Sequence, residues 1–253
     1  MKKFRKVLLG VLALGSVSLM ASCGSGFKDK NIKALVNTSA EVKETVEEGV
    51  KNYYATSDIT LTMTLLGQTS TETVSMEVEM DYEQNTLTMG FEDEEVSIKF
   101  ENGQYSSDGG DYVDQDAMKV AYEMMAKAPY VWNLKEVLGT NSTSMTNNLA
   151  ETGINLDVDK IINKISSSLV SEVEGDIADG NITISNKKDV KVKTTATVLG
   201  SKVKYEFNYT KFNYVYEGHL LKSVETECNV KFTVQGISAT MKMTNVEKYY
   251  YNV

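Results

Sequence analysis

Apolar and polar positions alternate with a period of two through most of this chain, and the alternation marks its strands. Within residues 57–82, Ile59, Leu61, Met63 and Leu65 alternate with Thr60, Thr62 and Thr64, as in a half-buried strand. Val74, Met76, Val78 and Met80 then alternate with Thr73, Ser75, Glu77 and Glu79, so Gly67, Gln68 and the polar residues to Ser70 predict a hairpin turn. Three of the eight inward residues are methionines, flexible side chains suited to a changeable apolar shape.

The same code predicts strands through Leu87, Met89 and Phe91, through Val96, Ile98 and Phe100, and, after a turn at Asn102 and Gly103, around Tyr105 and Tyr112. Strands resume with Ile182 and Ile184, then Val190, Val192, Ala196 and Val198. Val203, Tyr205, Phe207 and Tyr209 share one face, but Phe212, Tyr214 and Tyr216 have switched parity, which predicts a bulge near Thr210 and Lys211. Turns at Glu217 and Gly218 and at Gln235 and Gly236 separate the last ribbons, which run through Val224 to Val234 and from Ile237 to Met243.

Three stretches change to a helical period. Thr38 and Glu41 fit a capping box ahead of Val42, Val46, Val50, Tyr53 and Tyr54. Met118, Ala121, Tyr122, Met124 and Met125 form a stripe that stops before Pro129, the only proline. Asp157 caps a third, with Val158, Ile161, Ile162, Ile165 and Leu169. Residues 139–155, rich in Ser, Thr and Asn, predict a loop. The sum is an α+β fold, a single domain over residues 34–253 with a large curved antiparallel sheet of about ten strands and about three helices packed on or lidding its concave face.

Dimensions then suggest a hollow. About ten strands at ~4.8 Å make a sheet on the order of 48 Å across, and three helices of about 10 Å diameter cover at most some 30 Å. The uncovered apolar face is where a hydrophobic molecule would sit. The residues expected to line it are Leu61, Met63, Met76, Met80, Met89, Met118, Tyr122, Met125, Trp132, Phe207 and Met241. A bound lipid should perturb the fluorescence of Trp132, the only tryptophan.

The first 22 residues stand apart. Lys2, Lys3, Arg5 and Lys6 precede an apolar run from 7 to 19, too short for a comfortable membrane span, and Met20, Ala21 and Ser22 lead to Cys23. This segment resembles a bacterial lipobox, in which the leader (1–22) is removed and the cysteine is acylated with chains such as palmitate. Residues 23–33 then form a lipidated tether. Acyl chains at about 0.8 kcal/mol per buried methylene would hold the protein on the extracytoplasmic face of the cell membrane.

Removing the four basic residues of the leader takes the net charge from −9 to −13, which disfavours nucleic acid and anionic lipid headgroups as broad electrostatic partners. With Cys23 acylated, Cys228 is the one remaining cysteine and no intramolecular disulfide is available. Catalytic chemistry is sparse: His219, the single histidine, follows a turn, Cys228 reads as a small buried hydrophobe, and no nucleophile elbow is present. Asp108, Asp111, Asp114 and Asp116 match no calcium loop, so neither a metal nor a cofactor is expected.

Taken together, the cysteine, the leading helix, "SDITLTMTLLG", "VSMEVEM", the Met-rich helix before "PYVW" and the closing "VQGISATMKMT" strand resemble the LolA/LppX-type lipoproteins of bacterial cell envelopes. That resemblance implies a half-barrel closed by helices and a non-catalytic carrier of lipid or another hydrophobic molecule. The alternative is a surface interaction module or structural envelope lipoprotein with a filled core, whose partner is another envelope protein.

Overall fold

The computed structural model describes residues 28–91, 94–108, 115–130, 154–155, 168, 171–178, 181–198, 201–234 and 236–252. The chain runs α1 (Lys30–Gly49), β1 (Asn52–Leu65), β2 (Gln68–Asp81), β3 (Thr86–Phe91), β4 (Glu94–Glu101), β5 (Gln104–Asp108), α2 (Gln115–Lys127), β6 (Ile154–Asn155), β7 (Val173–Ala178), β8 (Asn181–Asn186), β9 (Val190–Val198), β10 (Ser201–Glu217), β11 (Leu220–Val234) and β12 (Ile237–Asn252). All twelve strands join one open antiparallel sheet in the order β5-β4-β3-β2-β1-β12-β11-β10-β8-β7. β9 also pairs with β10, and β6 with β9. This is the large antiparallel sheet with few helices that the alternation predicts.

The chain closes on itself at the centre of the sheet, where β1 pairs with β12 from Asn52 opposite Asn252 to Leu65 opposite Ala239. β8 and β9 lie end to end along β10, and at their junction the amide of Phe212 donates to Asn186 Oδ1 at 2.8 Å. The β10–β11 register shifts between Tyr209 and Lys211 at the same level, which is the parity switch read from the sequence. Ile154 and Asn155, inside the expected loop, pair with Val198 and Thr197.

Two helices are described, α1 meeting β7 and α2 meeting β3 and β5. Asp29 caps α1, its carboxylate accepting from the amides of Asn31 and Ile32 at 2.9 and 3.1 Å. The helix therefore begins well before the capping box at Thr38 and ends before Tyr53 and Tyr54, which belong to β1. The reason is non-local: Lys51 donates to the carbonyl of Asn252, and the chain's last strand draws residues from Asn52 onward into the ladder. At its other end α1 meets β7, where Ile32 packs on Gly175 and Asn31 Nδ2 donates to the Gly175 carbonyl at 2.8 Å.

α2 buries Met118, Ala121, Tyr122, Met124 and Met125, the predicted stripe. Tyr122 meets Phe100 and Tyr105 of β4 and β5. The exit of α2 is held by hydroxyls: Tyr53 donates to the Met125 carbonyl at 2.7 Å and Tyr82 to that of Ala126 at 2.9 Å. Carbonyls at a helix C-terminus have no partner inside the helix, so these tyrosines supply one from the sheet. Beyond, Leu221 donates to the Pro129 carbonyl at 2.8 Å, stitching the chain to the start of β11. Trp132, Tyr112, Asp111, Asp114 and, apart from Ser168, the third predicted helix lie outside the described residues.

Candidate functional site

Among the described residues α2 meets β3 and β5 and α1 meets β7, so the described helix contacts fall at the two edges of one end of the sheet. β3, β4 and β5 reach only as far as the rows of Met76 and Ser57, because β2 pairs with β3 from Met76 to Asp81 alone. Beyond that level β1 and β2 continue as a projecting hairpin, with β12, β11, β10 and β9 alongside β1. Below that level, Met76, Met80, Met89, Met118, Tyr122 and Met125 are buried in one cluster with Tyr53, Leu87 and Ile98. These six expected lining residues are thus brought together, packed against each other.

Leu61, Met63, Met241 and Phe207, the other expected residues that are described, occupy the second half. The register places Leu61 opposite Met243, Met63 opposite Met241, Met241 opposite Val230 and Val230 opposite Phe207. Tyr205, Phe232, Cys228, Val192 and Val190 extend the same apolar panel across β10, β11 and β9. Burial falls across it: Val192, Tyr209, Cys228 and Val230 are buried, Met241 and Met243 partly so, while Met63 is 49% and Leu65 46% exposed. A hollow of about 380 Å³ lies there, lined among the described residues by Met63, Leu65, Leu66, Gln68, Thr69 and Ser70. On the outer face, Thr60, Thr62 and Thr64 pair with Thr73, Thr71 and Thr69 through hydroxyl contacts of 3.0 to 3.1 Å, which steadies the projecting arms.

Between the two halves runs a buried polar row. Ser57 donates to Asn245 Oδ1 at 3.0 Å, Asn245 Nδ2 donates to Glu247 at 2.7 Å, and the Tyr249 hydroxyl donates to the other Glu247 oxygen at 2.9 Å. Glu247 is fully buried. Desolvation pushes its carboxyl up to about 8, against the downward pull of its two hydrogen bonds. This row escaped the sequence reading, although the alternation of Met241, Met243, Asn245, Glu247 and Tyr249 continues without a break and puts both polar residues on the inward face.

Neither cysteine nor histidine offers an activated group. Burial pushes the Cys228 thiol up to about 12, and the residue sits on the inner face as the alternation predicts. His219 lies half-buried at the β10–β11 turn. Among the described residues no three His, Cys, Asp or Glu side chains form a metal-binding group, and no helix is long and apolar enough to cross a membrane.

No family model and no curated protein matches the chain. Solved structures similar to it include a domain from Vibrio parahaemolyticus provisionally named an outer membrane lipoprotein-sorting protein, 8% identical, with a TM-score of 0.21 over 85% of this chain and 92% of that one. A DUF1329 family protein from Desulfovibrio piger is likewise 8% identical, with a TM-score of 0.17 over 88% and 93% of the two chains. At these scores neither likeness bears on what this chain does.

Proposed function

We propose that this protein is a lipid-anchored extracytoplasmic lipoprotein that holds a lipid or similar hydrophobic molecule, without chemical change, against the apolar panel of β1, β12, β11 and β10. One observation carries the reading: an inward-facing row of large apolar side chains, Leu61, Met63 and Leu65, stays partly exposed beside a hollow of about 380 Å³. Volumes of this order suit an acyl chain or other small hydrophobic guest. Leu61, Met63, Phe207 and Met241 are the contacts, and the methionines let the surface follow a variable shape. Cys23 carries the anchor, and no cofactor takes part.

The test is native mass spectrometry of the chain purified from its own cells, in which a co-purified guest appears as added mass. Placing a charge in the panel by Met63→Lys should lose that mass and weaken binding of a fluorescent fatty acid about tenfold or more, as expected for removing ~1.5–3 kcal/mol of apolar burial. A parent chain that carries no added mass and takes up no probe refutes the carrier reading. The second reading, an interaction module, is favoured by the outer edge of β2 from Gln68 to Ser75, which has no strand partner beyond β1 among the described residues.

A further inference from the structure

Two features of the projecting hairpin fix where its outer backbone points. The amide of Tyr82 donates to the Lys51 carbonyl, so the even-numbered residues of β2 bond to β1 and the odd-numbered ones turn their N–H and C=O groups the other way. The hydroxyls of Thr69, Thr71 and Thr73 meet those of Thr64, Thr62 and Thr60 at 3.0 to 3.1 Å, the close side-chain approach of rows that share no backbone bonds. From Glu77 to Asp81 the outward groups of β2 face β3. Those of Thr69, Thr71 and Thr73 have no strand beyond them among the described residues, and all three residues are exposed.

The other margins of the sheet carry the usual protection against edge pairing. β7 is met by α1, whose Asn31 side chain occupies the Gly175 carbonyl. β5 has only 5 residues, and β9 carries Lys191 and Lys193. The β2 edge has no proline, lysine or bulge, and its register with β1 runs unbroken from Gln68 to Asp81. Its free stretch begins at the Leu66–Gly67 turn and ends where Met76 meets Phe91, so Thr71 is the midpoint. A two-fold axis at Thr71 lays this stretch on a copy of itself, with Thr71 on Thr71, Thr69 on Thr73, Ser70 on Glu72 and Gln68 on Val74. Glu72, the one charge in the stretch, then meets a serine hydroxyl and not another carboxylate, and inner rows stay with inner rows.

We propose that the β2 edge from Gln68 to Val74 pairs antiparallel with the same edge of a second copy of this chain, joining the two sheets about a two-fold axis at Thr71. About six backbone hydrogen bonds form, two in each of the rows that hold Thr69, Thr71 and Thr73. The axis stands perpendicular to the sheet, so the apolar panels of both copies face the same side. Such a contact closes at two chains, because each copy uses up its own edge. The pairing names an occupant for the edge that favours the interaction reading, and it stands whether or not the hollow holds a guest. Added mass tests the guest and crosslinking tests the pair, so either can fail alone.

The test compares two cysteine variants of the full chain, oxidised in its own cells. Thr71→Cys sets two thiols on the axis, at the ~5.5 Å Cα separation of a bonded antiparallel row, which a disulfide spans. Thr73→Cys is on the same face and also exposed, but each such thiol lies about 14 Å along the strands from its counterpart, beyond reach. Cys228 is buried and does not compete. Position 71 should give covalent dimer at roughly ten times the yield of position 73. No dimer at position 71, or equal yields at both, overturns the proposal. Thr73→Pro added to Thr71→Cys supplies the second measurement, since it removes an outward amide that makes no bond to β1. The crosslink should fall to the level of position 73 with the thermal midpoint unchanged, and a crosslink that persists overturns the pairing.

Discussion

Among the described residues, the ionisable groups coupled to Glu247 are the phenols of Tyr53 on β1, Tyr214 on β10 and Tyr249 on its own strand, and none is a cation. Its carboxyl is raised from an ordinary 4.5 to about 8, so between those values the folded chain keeps a proton that the unfolded chain has released. Stability from this group is therefore fully present below about pH 4.5 and is lost as pH rises through about 8. Glu247→Gln keeps the shape without the titration. Urea unfolding midpoints of the parent should fall relative to this variant between about pH 5 and pH 9, a difference of a few kcal/mol, and parallel pH profiles would show that the carboxyl is not held neutral. Tyr53→Phe leaves the ring contacts with Tyr249 and Tyr251 but removes the shorter of two hydrogen bonds to the Met125 carbonyl, which keeps the Ala128 amide at 3.2 Å. It should cost about 0.5–1.5 kcal/mol by denaturant unfolding.

At the scale of elements, what matters is how α1 and α2 are fastened. α1 approaches β7 so closely that a Cβ on Gly175 would stand 2.9 Å from Ile32 Cγ1. Gly175→Ala must push the helix off the strand, stretching the Asn31 hydrogen bond to the Gly175 carbonyl. A loss of about 1–3 kcal/mol is expected, read as a lower thermal midpoint. An unchanged midpoint would mean that the start of α1 is not tightly docked. Most of the strands and α2 were legible because their burial follows the local two-residue or helical period. The start of α1 and the strand role of Tyr53 and Tyr54 were not, because the capping box at Thr38 is a local signal, whereas Asn52 to Leu65 are recruited by residues 239–252, nearly two hundred positions away. The turn at Leu66 was missed by one residue for a related reason, since glycine at 67 is compatible with either placement until the pairing of Leu65 with Gln68 is known.

For the whole molecule, the proposed anchor and the distribution of cover decide the behaviour. Cys23→Ser should release the protein from the membrane fraction or leave an uncut precursor, and an unchanged, processed membrane form would refute lipidation. Apolar exposure is uneven among the described residues of the inner face. The six residues from Met76 to Met125 pack together below Ser57 and Glu247, while Leu61, Met63, Phe207 and Met241 lie above them. A ligand should therefore slow amide exchange in the β1–β2 hairpin and leave the α2 side unchanged.

The residue order alone settled which side chains of each strand share a face, where the ribbons turn, and that α2 carries a methionine stripe, because each of these depends on a period of a few residues and on local backbone sterics. Which apolar residues are buried and which stay exposed among those described, and that Glu247 sits buried beside tyrosines, were decided only in three dimensions. Those outcomes depend on pairing β1 with β12, residues nearly two hundred positions apart, which no short stretch of the chain encodes.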